Sequence, residues 1–333
     1  FATRLSYGSG KSIWFSDGEP LKVENNQWLL PEGCYYLDDH TSDTYVTKYT
    51  IKITGNVTIC LNGQKIEKIG GDKAPVFEVT NGYVLTLTDC KGSGKVTHSS
   101  MEKEGSGVYV NGSTLNLYEG QIAGNNGREN STSYERYGGG VYVNNGTFNM
   151  YGGAITENDA NYGGGVYGST FNMYGGTIKS NESSKRVESD SGGAGVYMES
   201  GNFIMKNTAS VTGNEIGRAS NGGGVYVKGG TFEMHNDASV ADNRVTYENS
   251  CGGGVYVSGG TFEMHNNASV TENKAFGNDA TLNGAGVYVT GRDTTFTTAP
   301  ESRETRRPAP AAAITTTAAV CMSASAARTA SSK

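Results

Sequence analysis

The chain has 333 residues, of which 49 are glycine and 20 tyrosine, with 18% charged residues and a formal net charge of −6. An aromatic content of 10% is too high for a disordered chain, and so much glycine is incompatible with a helical bundle. The acidic balance argues against a nucleic-acid partner, which requires a basic face, and no uninterrupted apolar run of about 18 residues exists to span a membrane as a helix.

The chain opens at Phe1 without a charged segment leading into an apolar stretch, so it reads as a processed chain or, preferably, a fragment of a longer reading frame. Residues 1–45, with Trp14, Trp28 and the Tyr35-Tyr36 pair, are expected to cap one end of the fold. Residues 46–104 carry short strand patterns: Ile51, Ile53 and Val57 alternate, Val76–Val79 and Val84–Leu87 follow, and Val96 ends another. The cysteines are Cys34, Cys60, Cys90, Cys251 and Cys321, and none stands at metal-ligand spacing from another or from a histidine. A disulfide among Cys34, Cys60 and Cys90 is open to them, but the plainer reading is adopted, that of buried or incidental thiols. No metal or cofactor is expected.

From residue 105 to 296 the chain repeats itself. Six blocks align, Gly105–Asn125, Gly138–Asn158, Gly163–Asn181, Gly193–Asn214, Gly222–Asn243 and Gly252–Asn273, and a seventh opens at Gly284. Each begins Gly-Gly-Gly-Val-Tyr-Val or a close variant, continues with an apolar pair such as Phe148/Met150, and closes on an aliphatic residue three positions before asparagine. The blocks keep 19 to 22 residues while the connections between them vary from 4 to 12. A constant body with one variable loop is what stacked units give when insertions are tolerated on one edge.

Within a block the apolar residues are two apart, the strand period, and the frequent Gly and Asn leave no room for a helix. A propeller blade of four strands needs about 40 residues, more than one repeat supplies. The predicted fold is therefore all-β: a single-stranded right-handed parallel β-helix with three short strands per coil, irregular over 46–104 and regular over 105–296. Each coil buries only about six apolar side chains, worth about 1.5–3 kcal/mol apiece, so it is stable only between neighbours. The asparagines Asn125, Asn158, Asn181, Asn214, Asn243 and Asn273 should stack into an amide ladder, and asparagine also tolerates the left-handed backbone of a sharp corner.

After Phe296 the pattern gives way to Ala/Thr-rich sequence. Read from the third base of each codon, the stretch around Ala318–Ser323 permits Gly-Gly-Gly-Val-Tyr-Val, and Ala299–Thr305 permits a block ending. Residues 297–333 are thus expected to be a frameshifted translation of further coils, the alternative being a disordered linker.

The recurring Gly-Gly-Gly-Val-Tyr-Val…Thr-Phe-x-Met, with Gly152-Gly153-Ala154-Ile155 and Asn158, resembles secreted bacterial β-helix surface proteins, including adhesin-type polymorphic outer-membrane proteins with GGAI repeats. The resemblance covers roughly 50–296. It implies a pectin-lyase-like helix, an extracellular or cell-surface location, and adhesion or glycan contact. This chain differs in using Ile/Val-x-x-Asn in place of Phe-x-x-Asn.

The expected function is non-catalytic, adhesin-like or glycan-binding, by a monomer whose partner is a glycan or a host or cell-surface protein. The candidate contact is the outward column Tyr109, Tyr142, Tyr167, Tyr197, Tyr226, Tyr256 and Tyr288, together with the variable loops on one edge. Ordinary β-sheet preference would explain the same column. The alternative is a polysaccharide lyase or glycoside hydrolase. Glu233 and Glu263 would then sit one strand spacing apart as a carboxylate pair, with Glu157, Asp242 and Glu272 beside the asparagine column. Those two glutamates occupy equal places in near-copies of Gly-Gly-Thr-Phe-Glu-Met-His-Asn, so repetition accounts for them without catalysis. His235 and His265 stack in a further outward column with Tyr118, Tyr151, Tyr174 and Lys206, and a polar ladder is the preferred reading over a two-histidine metal site.

Overall fold

A computed structural model describes residues 3–8, 13–16, 19–38, 44–70, 73–99, 105–129, 136–183, 191–217, 220–247, 250–276, 284–291, 294–299, 313–314 and 320–322. These residues form an all-β solenoid in which equivalent strands of successive repeats pair in parallel. In the first column the Val-Tyr-Val strands lie in register, tyrosine on tyrosine from Tyr109 through Tyr288. In the second, Leu115 meets Phe148, followed by Phe171, Phe203, Phe232, Phe262 and Phe296. The third, a 10-stranded sheet, carries Ile122, Ile155, Ile178, Val211, Val240 and Val270.

The spacing-two apolar residues all point inward, into one continuous core that runs from Leu5 to Val289. Consecutive phenylalanines from Phe148 to Phe262 stack with ring centroids 4.7 Å apart. That distance is the strand spacing itself, so the ring separation follows from backbone pairing.

Three details differ from the expectation. A fourth strand of two residues follows the ladder asparagine in four repeats, at Glu182–Ser183, Glu215–Ile216, Arg244–Val245 and Lys274–Ala275. It buries Ile216 and Val245 against Ala194 in a small satellite cluster, and two residues are too few for periodicity to reveal. The first two strands also merge into one in two repeats, Val166–Met173 and Val196–Met205. Finally, parallel pairing already begins inside the expected cap: Gln27–Leu30 pairs with Thr50–Ile53, and Gly33–Leu37 with Val57–Cys60. Antiparallel pairs there are confined to the first strands, such as Lys22–Glu24 with Gln27–Leu30.

Past Phe296, the backbone of Ala313–Ile314 pairs with the third column and that of Val320–Met322 with the first, Val320 opposite Val287. The remainder of 300–333 lies outside the described residues, and with it the expectation of a shifted frame. The thiol reading of the cysteines is corrected: Cys60 and Cys90 form a disulfide between neighbouring repeats, Cα atoms 6.6 Å apart, while Cys34 is an exposed thiol. Their spacing of 30 residues is one repeat, which brings them together only once the coils stack.

The asparagines form an unbroken buried ladder. Each amide nitrogen donates to the next amide oxygen at 2.8–3.0 Å, from Asn125 to Asn273. The same oxygen accepts the preceding asparagine's backbone N–H, and the second amide hydrogen goes to a backbone carbonyl one repeat back, as from Asn181 to Ile155. His98 closes the ladder's end, with Nδ1 2.8 Å from the Asn125 oxygen and Nε2 3.1 Å from the Ala74 carbonyl. Both partners are acceptors, so a doubly protonated ring satisfies both. The left-handed backbone at this corner falls one residue earlier than expected, on Gly124, Glu157, Ser180, Gly213, Asp242 and Glu272, with φ between 53° and 69°.

Candidate ligand-binding face

The tyrosine column chosen from the sequence is not an open stripe. Tyr197 and Tyr226 are 0% and 2% exposed, and Tyr109, Tyr142, Tyr167, Tyr256 and Tyr288 are half-buried. Tyr137 and Tyr162, from the connections, pack onto them: Tyr162 meets Tyr197 edge-on at 5.3 Å, and Tyr137 stacks on Tyr162 at 5.0 Å. Tyr137 is brought there by a small antiparallel pairing of Arg128–Glu129 with Arg136–Tyr137 inside the long connection. The column is thus a second aromatic core outside the first. Alternation tells that these rings face away from the solenoid interior, but not that a connection folds back over them.

Burial, then the negative charge of Glu199, holds the Tyr167 phenol well above its ordinary pKa; burial, then Tyr226, does the same for Tyr197. The folded state therefore keeps these protons where the unfolded chain has lost them, so stability falls as pH rises beyond about 10. Tyrosinate absorbance and far-ultraviolet circular dichroism should change together in an alkaline titration; free titration of these phenols with the fold intact would contradict this. The Tyr197 hydroxyl has no hydrogen-bond partner, so Tyr197→Phe should raise stability by about 1 kcal/mol in urea unfolding.

Among the described residues, Tyr247 and Phe276 stand exposed on the connections, and a stacked set of accessible aromatic groups lies on the outer face of the second strand column. Tyr118 and Tyr151 are 45% and 41% exposed, and their rings stack at 4.5 Å, with Tyr174 following at 5.2 Å. Two positions earlier on the same strands, Asn116, Asn149 and Asn172 form an outward amide ladder, each donating to the preceding one at 2.9 Å. Asn116 extends it to the Thr86 hydroxyl at 3.3 Å. Beyond Thr86 lies a shallow recess of about 260 Å³ lined by Glu32, Cys34, Asn56, Thr58, Val84 and Thr86. The tyrosines stand at a corner; Tyr151 and Tyr174 are followed by Gly152 and Gly175, and Tyr118 by the exposed Glu119, whose Oε1 lies 3.2 Å from where a methyl on Gly152 would stand.

Further along, the same two columns change chemistry. Ile204 and Lys206 interrupt them, and then Glu233/His235 and Glu263/His265 occupy equivalent places. Each histidine Nε2 meets the glutamate of its own strand, at 3.0 and 3.2 Å, and the two imidazoles stack at 4.5 Å. The remaining sequence-selected carboxylates, Glu157, Asp242 and Glu272, sit exposed at the left-handed corner, Glu157 within 3.8 Å of Lys95. A polar recess of about 570 Å³ opens there between Asn125, Asn126, Glu157, Asp159, Ser180 and Glu182. Among the described residues, no group of three His, Cys, Asp or Glu side chains is disposed to hold a metal ion.

The sequence marked Tyr118, Tyr151 and Tyr174 only as neighbours of the histidines. No local signal separates them from the other tyrosine column: glycine trails Tyr151 and Tyr174 but also Tyr167, while Glu119 trails Tyr118. No family model, no curated protein and no solved structure matches the chain.

Proposed function

We propose that this protein is a non-catalytic, adhesin-like glycan-binding solenoid that works outside the cell or at its surface. The supporting observation is the outer face bearing Tyr118, Tyr151 and Tyr174 beside the amide row Asn116, Asn149 and Asn172. Phenol hydroxyls and ring edges next to aligned amide donors and acceptors suit a polyhydroxylated ligand, whose hydroxyls meet the amides and phenols while its C–H groups lie against the ring edges. The connections on one edge supply a further contact surface. Simultaneous Tyr118→Ser, Tyr151→Ser and Tyr174→Ser is expected to abolish retention on a polysaccharide-coated surface while leaving the unfolding midpoint nearly unchanged, since these rings lie outside both cores. Undiminished retention would remove this face from the function.

A second reading, a polysaccharide lyase or glycoside hydrolase, is favoured by one observation, the in-register placement of Glu233 and Glu263. Against it, each carboxylate is engaged by the histidine of its own repeat, an arrangement that duplication alone produces. Product release from polygalacturonate that is lost in Glu233→Gln would establish the enzyme.

A further inference from the structure

The outer corner after the second strand column stacks like on like, as the interior does, and there the like residues are phenols. Parallel pairing carries on through them: the Tyr151 N–H donates to the Leu117 carbonyl and the Tyr174 N–H to the Met150 carbonyl. The Tyr118 and Tyr151 rings lie 4.5 Å apart and 12° from parallel, and Tyr151 and Tyr174 lie 5.2 Å apart at 18°. Equivalent atoms of neighbouring rings are then about one strand spacing apart, the carbons beside the hydroxyls included. At 45% and 41% exposure, Tyr118 and Tyr151 meet reagents from solution, and neither belongs to a core cluster that would stop its ring from turning. Partial burial, then the phenols of Tyr118 and Tyr174 on either side, raise the Tyr151 phenol above its ordinary pKa. At neutral pH its oxidation therefore releases a proton, which exposure lets water take.

Two other tyrosine settings lack one half of this arrangement. Tyr197 and Tyr226 stack as closely, at 4.7 Å and 19°, but are 0% and 2% exposed, and the Tyr197 hydroxyl has no acceptor for its proton. Tyr247 is 49% exposed, but among the described residues no ring stacks on it. The corner also holds a covalent link between coils already. Cys60 stands opposite Thr88, the place Tyr118 takes one coil later, and its disulfide to Cys90 spans 30 residues, against 33 from Tyr118 to Tyr151. Disulfides persist in oxidising surroundings, which are also where a peroxide reaches exposed phenols.

We propose that Tyr118 and Tyr151 are an oxidative cross-linking site, joined through their Cε carbons by hydrogen peroxide and a haem peroxidase into a staple between neighbouring coils. Each phenol gives one electron to the oxidised haem and its hydroxyl proton to water. The two radicals pair to form one C–C bond. The hydrogens on the joined carbons then leave as protons, and both oxygens take up a proton again. The peroxide receives the two electrons and two protons, its O–O bond breaks, and two waters form. The net change is two ring C–H bonds lost and one C–C bond gained, with both hydroxyls kept. This inference does not depend on which ligand the face binds.

The dilute full chain is treated with hydrogen peroxide and a haem peroxidase, and the product is read by dityrosine fluorescence, intact mass and peptide mapping. The expected product is a single chain lighter by two hydrogens, with Tyr118 bonded to Tyr151, because partners already in place react ahead of encounters between chains. Tyr151→Phe, which keeps the ring and removes only the hydroxyl, should lower the fluorescence roughly 10-fold, since Tyr118 and Tyr174 stand two coils apart. Tyr197→Phe should leave it unchanged. Circular dichroism is recorded for both variants. The linked chain should unfold at a higher urea concentration than the parent, because a cross-link restricts the unfolded chain. A bond that maps to Tyr174 or to the buried column, a product made mainly of chains joined through Tyr247, a folded Tyr151→Phe as fluorescent as the parent, or no dityrosine at all overturns the site. An unmoved urea midpoint in the linked chain overturns the staple.

Discussion

Asn181→Ala is expected to destabilise the solenoid by at least about 3 kcal/mol. The Asn181 amide is fully used: its oxygen accepts from the backbone N–H and the amide of Asn158, at 3.1 and 3.0 Å, and its nitrogen donates to the Ile155 carbonyl and to Asn214, both at 3.0 Å. Truncation leaves the Asn158 backbone N–H, one Asn158 amide hydrogen and the Ile155 carbonyl buried without these partners. Each such group costs about 1–3 kcal/mol, and members of a polarised chain lose more together than singly. Asn181→Asp should be no milder, because a carboxylate keeps the acceptors, loses both donors and buries a charge. Urea unfolding measures both. Asn149→Ala, on the half-exposed outer ladder, is the control and should stay below about 1 kcal/mol, since water replaces the lost bonds. A buried variant as mild as the control would mean that the inner ladder contributes little.

Gly224→Ala should cost about 3 kcal/mol, clearly more than Gly223→Ala beside it. An added methyl at Gly224 would stand 2.6 Å from the Gly254 carbonyl, 2.9 Å from the Asn243 amide nitrogen and 2.9 Å from Val240 Cγ1. The first is fixed by the next rung, the second by the ladder and the third by the core, so relief requires the coils to separate or the core to repack. At Gly223 the methyl would meet the Gly253 carbonyl at 2.4 Å and the Arg244 carbonyl at 2.8 Å, a still closer approach. Yet the equivalent position carries Ser106, Ala194 and Ala285 in other repeats, and Ala194 gains a place in the satellite cluster with Ile216 and Val245. The third glycine of the triplet is glycine in every repeat, at 107, 140, 165, 195, 224, 254 and 286, and at the first six of these it roofs the ladder amide. Equal unfolding midpoints for the two variants would remove the amide as the reason.

The stacking of like on like was legible in the chain because repetition and the spacing of two act together. The residues at equal places in a block must face the same way, and parallel pairing of coils then brings them into contact. That determined the inward Phe, Met, Ile and Val columns, the register of the strands and the existence of the Asn125–Asn273 ladder. It could not determine what happens outside the coil. Whether Tyr197 or Tyr151 meets solvent depends on where Tyr137 and Tyr162 fold back, and the connections that carry them have no period to read. The Cys60–Cys90 bond and the fourth strand were likewise decided by tertiary structure: the first needs two coils stacked, and the second is too short to leave a pattern. A repeat determines its own interior, since each copy is the next one's environment; its surface belongs to the parts that do not repeat.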